Sequence, residues 1–97
     1  MLVLITYDVS FDTEGGKRRL RNIAKICQDY GIRVQYSVFE CDVTPAQWVE
    51  LKEQLFAAYD PEVDSLRFYK LGKNGQNKIE HFGAKASFDV FKSPLII

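Results

Sequence analysis

The sequence predicts an α+β fold: a βαββαβ sandwich in which an antiparallel sheet is covered on one face by two helices, with an extra strand at the C-terminus. Three observations carry that expectation. The chain opens on a short apolar run without helical period, two later segments repeat apolar residues at spacings of three and four, and the stretches between them alternate or favour extended structure. With 97 residues, 46% apolar and 13% aromatic, the chain has material for one domain with one modest core. A core that small often finishes covering its apolar residues against a second copy, so a homodimer is expected.

Met1 to Tyr7 combines Val, Ile and Thr in a run that suits a buried central strand. From Lys17 the period changes: Leu20, Ile23, Ala24, Cys27 and Tyr30 mark one face of a first helix, which Gly31 is expected to stop at a C′ position. Residues 33 to 43, RVQYSVFECDV, alternate as a second strand, but the apolar set moves from Val34, Tyr36 and Val38 to Phe39, Cys41 and Val43. That change of phase predicts a bulge or bend near Ser37. Thr44, Pro45 and Gln47 follow the order of a capping box with proline at the first helical position, and Trp48, Leu51, Leu55, Phe56 and Tyr59 then line a second helix. After an Asp60-Pro61 turn, Leu66 to Leu71 reads as a third strand, and GKNGQNK turns the chain into a fourth, Lys78 to Phe82. Residues 1–82 are thus expected to form a core domain of ferredoxin-like arrangement. Residues 83–97, ending in Pro94-Leu95-Ile96-Ile97, form a tail expected to add a strand to a sheet edge, in this case the partner subunit's.

The 13 basic and 13 acidic residues cancel to a net charge of +0, so a nucleic-acid partner must be held by a local patch. Cys27 and Cys41 lack metal or redox spacing and fall where apolar side chains fit, so both read as reduced core residues. No stretch approaches the ~20 apolar residues of a membrane span and no signal sequence is evident, which predicts a soluble, cytoplasmic protein.

Two features could carry chemistry. Asp8 ends an apolar strand: it either begins an Asx turn into the first loop, or it stands at the rim of a dimer interface, where a two-fold axis supplies a second carboxylate for Mg²⁺. GGKRRLR, residues 15 to 21, places Lys17, Arg18, Arg19 and Arg21 at a helix start, where cations oppose the helix dipole. Such a cluster is either a solvated face or the patch a neutral protein needs to bind phosphates. It is no P-loop, because the GxxxxGK[ST] spacing is missing. Arg33, Gln35 and Ser37 share the polar phase of the second strand. His81, the single histidine, reads as a strand residue and excludes a Ser/His/Asp or Cys/His arrangement. An RNA-recognition module would want an RNP1 pattern that LRFYKL at 66 to 71 does not supply.

Taken together, YDV at 7 to 9, RRLRNIAK at 18 to 25 and GIRVQYSVFEC at 31 to 41 resemble the small CRISPR-associated adaptation protein of the Cas-two family, over nearly the whole chain. The closing GAKASFDVFKSPLII resembles the tails of its subtype I-C branch. The resemblance implies a ferredoxin-like homodimer in which Asp8 of each chain flanks a divalent metal, Mg²⁺ or Mn²⁺, and the C-terminal strands pair across subunits. It implies either a metal-dependent endonuclease acting on RNA or double-stranded DNA, or an architectural dimer that bridges integrase dimers of the Cas-one family in spacer acquisition. Carried over by motif, Tyr7, Asp8, Arg19, Arg21, Arg33, Ser37 and Phe39 fall on the family's site positions, with Asp8 as catalytic and metal-binding residue. Lys17, Arg18, Arg19, Arg21 and Arg33 are the expected nucleic-acid contacts, and Tyr7, Ser37 and Phe39 support the site.

Overall fold

In the computed structural model, which describes residues 1–72 and 77–84, the apolar opening run is β1 (Leu2–Asp8). The first helical face is α1 (Gly16–Gln28) and the capped one is α2 (Pro45–Ala58). The segment expected as one bent strand is instead a hairpin, β2 (Gly31–Gln35) and β3 (Val38–Asp42), and β4 (Ser65–Leu71) and β5 (Lys78–Gly83) follow α2. The sheet is antiparallel in the order β2-β3-β1-β4-β5, so β1 is central as expected. The first six elements, β1 through β4, make the ferredoxin-like βαββαβ unit, and β5 extends its edge. The further strand and the dimer-spanning tail expected beyond residue 84 lie outside the described residues.

The phase change in residues 33 to 43 has two causes. The register slips by one residue between Arg33 and Gln35, and Tyr36 and Ser37 then reverse the chain completely. Val34 and Tyr36 therefore point their side chains into solvent, while Phe39, Cys41 and Val43 enter the core. Gly31 also differs from expectation. It opens β2 rather than capping α1 in the left-handed region, and it is glycine because a Cβ there would run into the carbonyl oxygen of Glu40 and the Cys41 Sγ.

One core joins the alternate sheet residues Val3, Ile5, Tyr7, Phe39, Cys41, Leu66 and Phe68 to Ile23 and Cys27 of α1 and to Trp48, Leu51 and Leu55 of α2. Trp48 meets Phe68 edge-on at 4.9 Å, and Phe56 meets Phe82 at 4.9 Å, which anchors α2 over β4 and β5. Both cysteines are free and buried; burial pushes the Cys27 thiol up to about 12 and the Cys41 thiol up to about 11. The opposite sheet face carries the other parity: Leu2, Leu4 and Thr6 of β1 beside Tyr69 and Leu71 of β4, all only half-buried. Asp8 continues that row. On the same face Arg67, nearly buried, donates through Nε to the Nδ1 of His81 at 3.3 Å, so His81 is a strand residue tied to its neighbour. No helix of the described residues is long and apolar enough to cross a membrane.

Candidate functional site

Where β1 ends, α1 begins and the β2–β3 turn closes, the surface folds into a cavity of about 420 Å³. Five residues singled out in the sequence line it: Tyr7, Asp8, Arg21, Arg33 and Ser37. Val9, Leu20 and Ala24 complete the wall, together with two aromatics the sequence did not flag, Phe11 and Tyr36.

Alternation along β1 explains how the site is held. Tyr7 faces the core, so its ring is buried and stacks on Phe39 at 6.2 Å, whereas Asp8 is exposed at the strand end opposite Ser65. The Tyr7 backbone N–H donates to the Ser37 carbonyl at 3.2 Å, and its hydroxyl donates to the Tyr36 carbonyl at 3.3 Å. One residue thus pins the β2–β3 turn to the end of β1. Burial pushes the Tyr7 phenol above its ordinary 10.0 and outweighs a hydrogen bond with Arg33, so it stays a neutral donor at physiological pH. Phe39 is fully buried and does not line the cavity. It works from beneath, with the Arg33 guanidinium carbon 5.1 Å from its ring centroid. An aromatic face orients the cation without neutralising it, and among the described residues no carboxylate forms an ion pair with Arg33.

The basic run on α1 divides. Arg21 reaches the cavity, and Lys17 and Arg18 are exposed outside it. Arg19 goes elsewhere: its Nε lies 2.7 Å from Oδ2 of Asp64, whose side chain is fully buried. Its two terminal nitrogens donate to the Glu14 carbonyl at 2.8 Å and the Thr13 hydroxyl at 2.6 Å. Asp64 also accepts the backbone N–H groups of Ser10 at 3.0 Å and Asp60 at 2.9 Å. Burial pushes the Asp64 carboxyl up, but the Arg19 guanidinium and the Asp60 and Ser10 N–H groups outweigh it and hold the carboxyl below its ordinary 3.8. Arg19, expected among the nucleic-acid contacts, thus stands away from the cavity and directs Nε and both terminal nitrogens to the loop that follows Asp8 and to Asp64. Asp64 went unnoticed in the sequence, where its one signal is a carboxylate directly ahead of an apolar strand.

Among the described residues Asp8 is the only carboxylate lining the cavity, and no group of three or more His, Cys, Asp and Glu side chains is arranged to hold a metal ion. A single exposed oxygen donor suits Mg²⁺ or Mn²⁺ when water, phosphate or a second subunit completes the shell. The donor chemistry fits a hard cation, and one chain supplies only part of it.

Fold and site together define a small ferredoxin-like protein with an acid and two arginines around one cleft. The family model described as CRISPR associated protein Cas2 matches residues 1–79, and the chain belongs to that family. It is 64% identical over 97 residues, all of this chain and 94% of the relative, to a protein of Nitratidesulfovibrio vulgaris named CRISPR-associated endoribonuclease Cas2. A Halalkalibacterium halodurans relative, named CRISPR-associated endonuclease Cas2, is 56% identical over 96 residues, 99% of each chain. Among solved structures, Streptococcus pyogenes Cas2 at pH 6.5 superposes with a TM-score of 0.69 at 58% identity, covering 78% of this chain and 92% of that one.

Proposed function

We propose that the protein is a dimeric, metal-dependent endonuclease of CRISPR spacer acquisition that acts on RNA or DNA in the cytoplasm, with Asp8 of each subunit sharing one divalent cation, Mg²⁺ or Mn²⁺. The observation that carries the proposal is the convergence of Asp8, Arg21 and Arg33 on one cavity. The half-buried apolar row of Leu2, Leu4 and Leu71, on the sheet face away from the helices, supports self-association on the side where Asp8 lies. The cation, when bound, supplies polarisation of the phosphate and an activated water. Arg21 and Arg33 bind the phosphodiester and offset the negative charge that develops on its oxygens. Tyr7 holds the Tyr36-Ser37 turn against β1, and Phe39 fixes the direction of Arg33. The names of the relatives, endoribonuclease and endonuclease, favour the same chemistry.

One observation favours a second reading. Among the described residues lining the cavity there is no histidine and no carboxylate besides Asp8 to act as general base. The dimer would then be architectural, holding duplex DNA by its backbone and presenting it to integrases of the Cas-one family. Asp8→Asn decides between them when wild type and variant are assayed with and without Mg²⁺ on RNA, single-stranded DNA and duplex DNA. The catalytic reading expects cleavage to vanish while affinity is kept, and equal cleavage by both proteins refutes it. On the architectural reading Arg21→Ala and Arg33→Ala each reduce the slope of log affinity against log salt by about one.

A further inference from the structure

We propose that Asp64 and Thr13 are positioning residues for Asp8: between them they grip both backbone groups of Ser10, and so fix the main chain that leaves Asp8 and the place at which its carboxylate is presented. The inference rests on the reading of Asp8 as the acid that holds the cation, and it names residues outside the cavity on which that role depends. Asp8 is exposed at the end of β1, where pairing with β4 supports it from one side, opposite Ser65. Strand ends open readily when nothing holds the chain beyond them. Here the chain is held two residues on, where the Ser10 N–H donates to Asp64 Oδ1 at 3.0 Å and the Ser10 carbonyl accepts the Thr13 hydroxyl at 2.8 Å. Val9, between Asp8 and Ser10, is buried in the core.

The two grips are themselves held. The Asp64 side chain is fully buried, and a closed turn presents it: its N–H donates to the Asp60 carbonyl at 2.8 Å, while its Oδ2 accepts the Asp60 N–H at 2.9 Å. Arg19 joins the grips into one clamp, since its Nε donates to Asp64 Oδ2 at 2.7 Å and its Nη2 to the Thr13 hydroxyl at 2.6 Å. The start of α1 closes the third side. A Cβ on Gly16 would run into the Ser10 carbonyl oxygen, so the helix seats this closely on the loop only with glycine there. Ser10, Thr13 and Asp64 do not line the cavity, and they act on Asp8 through the main chain. A carboxylate shared across a two-fold axis tolerates little error of placement: a displacement of about 1 Å costs on the order of 10²-fold in rate.

The test uses the full chain at a temperature where circular dichroism shows each variant folded. Cleavage of RNA and duplex DNA oligonucleotides with Mg²⁺ gives kcat and KM, electron paramagnetic resonance gives Mn²⁺ affinity, and NMR follows hydrogen exchange of the Val9 and Ser10 amides. Asp64→Ala removes both acceptors and is expected to lower kcat and Mn²⁺ affinity by roughly 10- to 100-fold, the usual cost of losing a support behind a metal-binding group, with KM unchanged and exchange at both amides faster. Thr13→Ala, a milder cut that carries the test if Asp64→Ala does not fold, moves the same readouts in the same direction, and Thr13→Ser, which restores the hydroxyl, recovers them. Leu55→Ala, in the core beneath α2, lowers Tm comparably but leaves kcat, Mn²⁺ affinity and exchange at Val9 and Ser10 as in wild type. Unchanged kcat and Mn²⁺ affinity in the folded clamp variants, an equal loss in Leu55→Ala, a change in KM alone, or no recovery by Thr13→Ser overturns the proposal. If wild type cleaves neither substrate, or Asp8→Asn cleaves as wild type does, the catalytic reading falls by itself. The positioning of Asp8 then stands on faster Val9 and Ser10 exchange in the clamp variants and not in Leu55→Ala, and unchanged exchange overturns it.

Discussion

The two helices of this protein begin in opposite ways. At α2 everything needed lies within four residues: Thr44 accepts the Gln47 N–H at 3.2 Å, the Gln47 side chain accepts the Thr44 N–H at 2.9 Å, and Pro45 occupies the first turn. At α1 the N-cap is Gly15, with φ of 77° and no side-chain cap, and the first turn carries cations and no acid. The missing side-chain cap and the dipole both argue against a start there. It forms because Arg19 reaches Asp64, 45 residues further on, and Asp64 in turn holds Ser10. The difference matters for function, since the locally specified start only supports the core, whereas the remotely specified one carries Arg21 and anchors the loop leading from Asp8.

The largest effect comes from cutting the remote support. Asp64→Ala strands the Arg19 guanidinium and two backbone N–H groups in a mostly buried place, and Tm is expected to fall by more than about 10 °C. Differential scanning calorimetry checks it, and a fall of only a degree or two would mean that α1 starts without the clamp. The same carboxylate gives the acid dependence its sign. Its folded pKa lies below the ordinary 3.8, so on acidification the unfolded chain takes up the proton first. The contribution is complete at neutral pH and is lost as pH falls from about 5 through the folded value. Asp64→Asn should therefore be less stable than wild type at pH 7 and show a flatter decline of Tm between pH 5 and pH 3.

This contrast also sets what the sequence could reveal. The β1 strand, the α2 cap and the apolar faces of both helices were legible because their signals are periodic or lie a few residues apart. The β2–β3 hairpin looks in sequence like one bent strand, because Tyr36 keeps step with Val34 and Val38 in the alternation while the turn swings its ring into solvent. Asp8, Arg21, Arg33, Tyr7 and Ser37 were expected at one site and meet at one cavity. Phe39 lies in the core beneath that cavity, against Tyr7 and Arg33. Arg19 looked identical to its neighbours in the basic run, since nothing local marks a partner 45 residues distant. Phe11 and Tyr36 were missed for a related reason: exposure of an aromatic is decided by the turn that carries it.

A smaller effect tests the backbone of the α1 start. Gly15→Ala forces a side chain into the left-handed region, at a cost of about 1–2 kcal/mol. A Cβ there has the Arg19 Nη1 at 3.4 Å as its near neighbour, so the strain is conformational and not steric. The variant should keep the Arg19–Asp64 pair and lose stability equally at pH 7 and pH 4 in urea unfolding. A loss concentrated at neutral pH would show that the substitution had disturbed the ion pair instead.

The smallest effect belongs to the self-sufficient helix. Thr44→Ala removes the acceptor for the Gln47 N–H but leaves Pro45 in place and the Trp48, Leu51 and Leu55 side chains buried. The expected cost is about 1 kcal/mol in urea unfolding, the usual value of a lost N-cap. Thr44→Ser, which restores a hydroxyl, should recover most of it. Nothing in the cap touches the cavity, so oligonucleotide affinity should be unchanged in both variants. If Thr44→Ala weakened oligonucleotide binding, the two helix starts would be coupled through the core, and the division between a locally and a remotely specified helix start would fail.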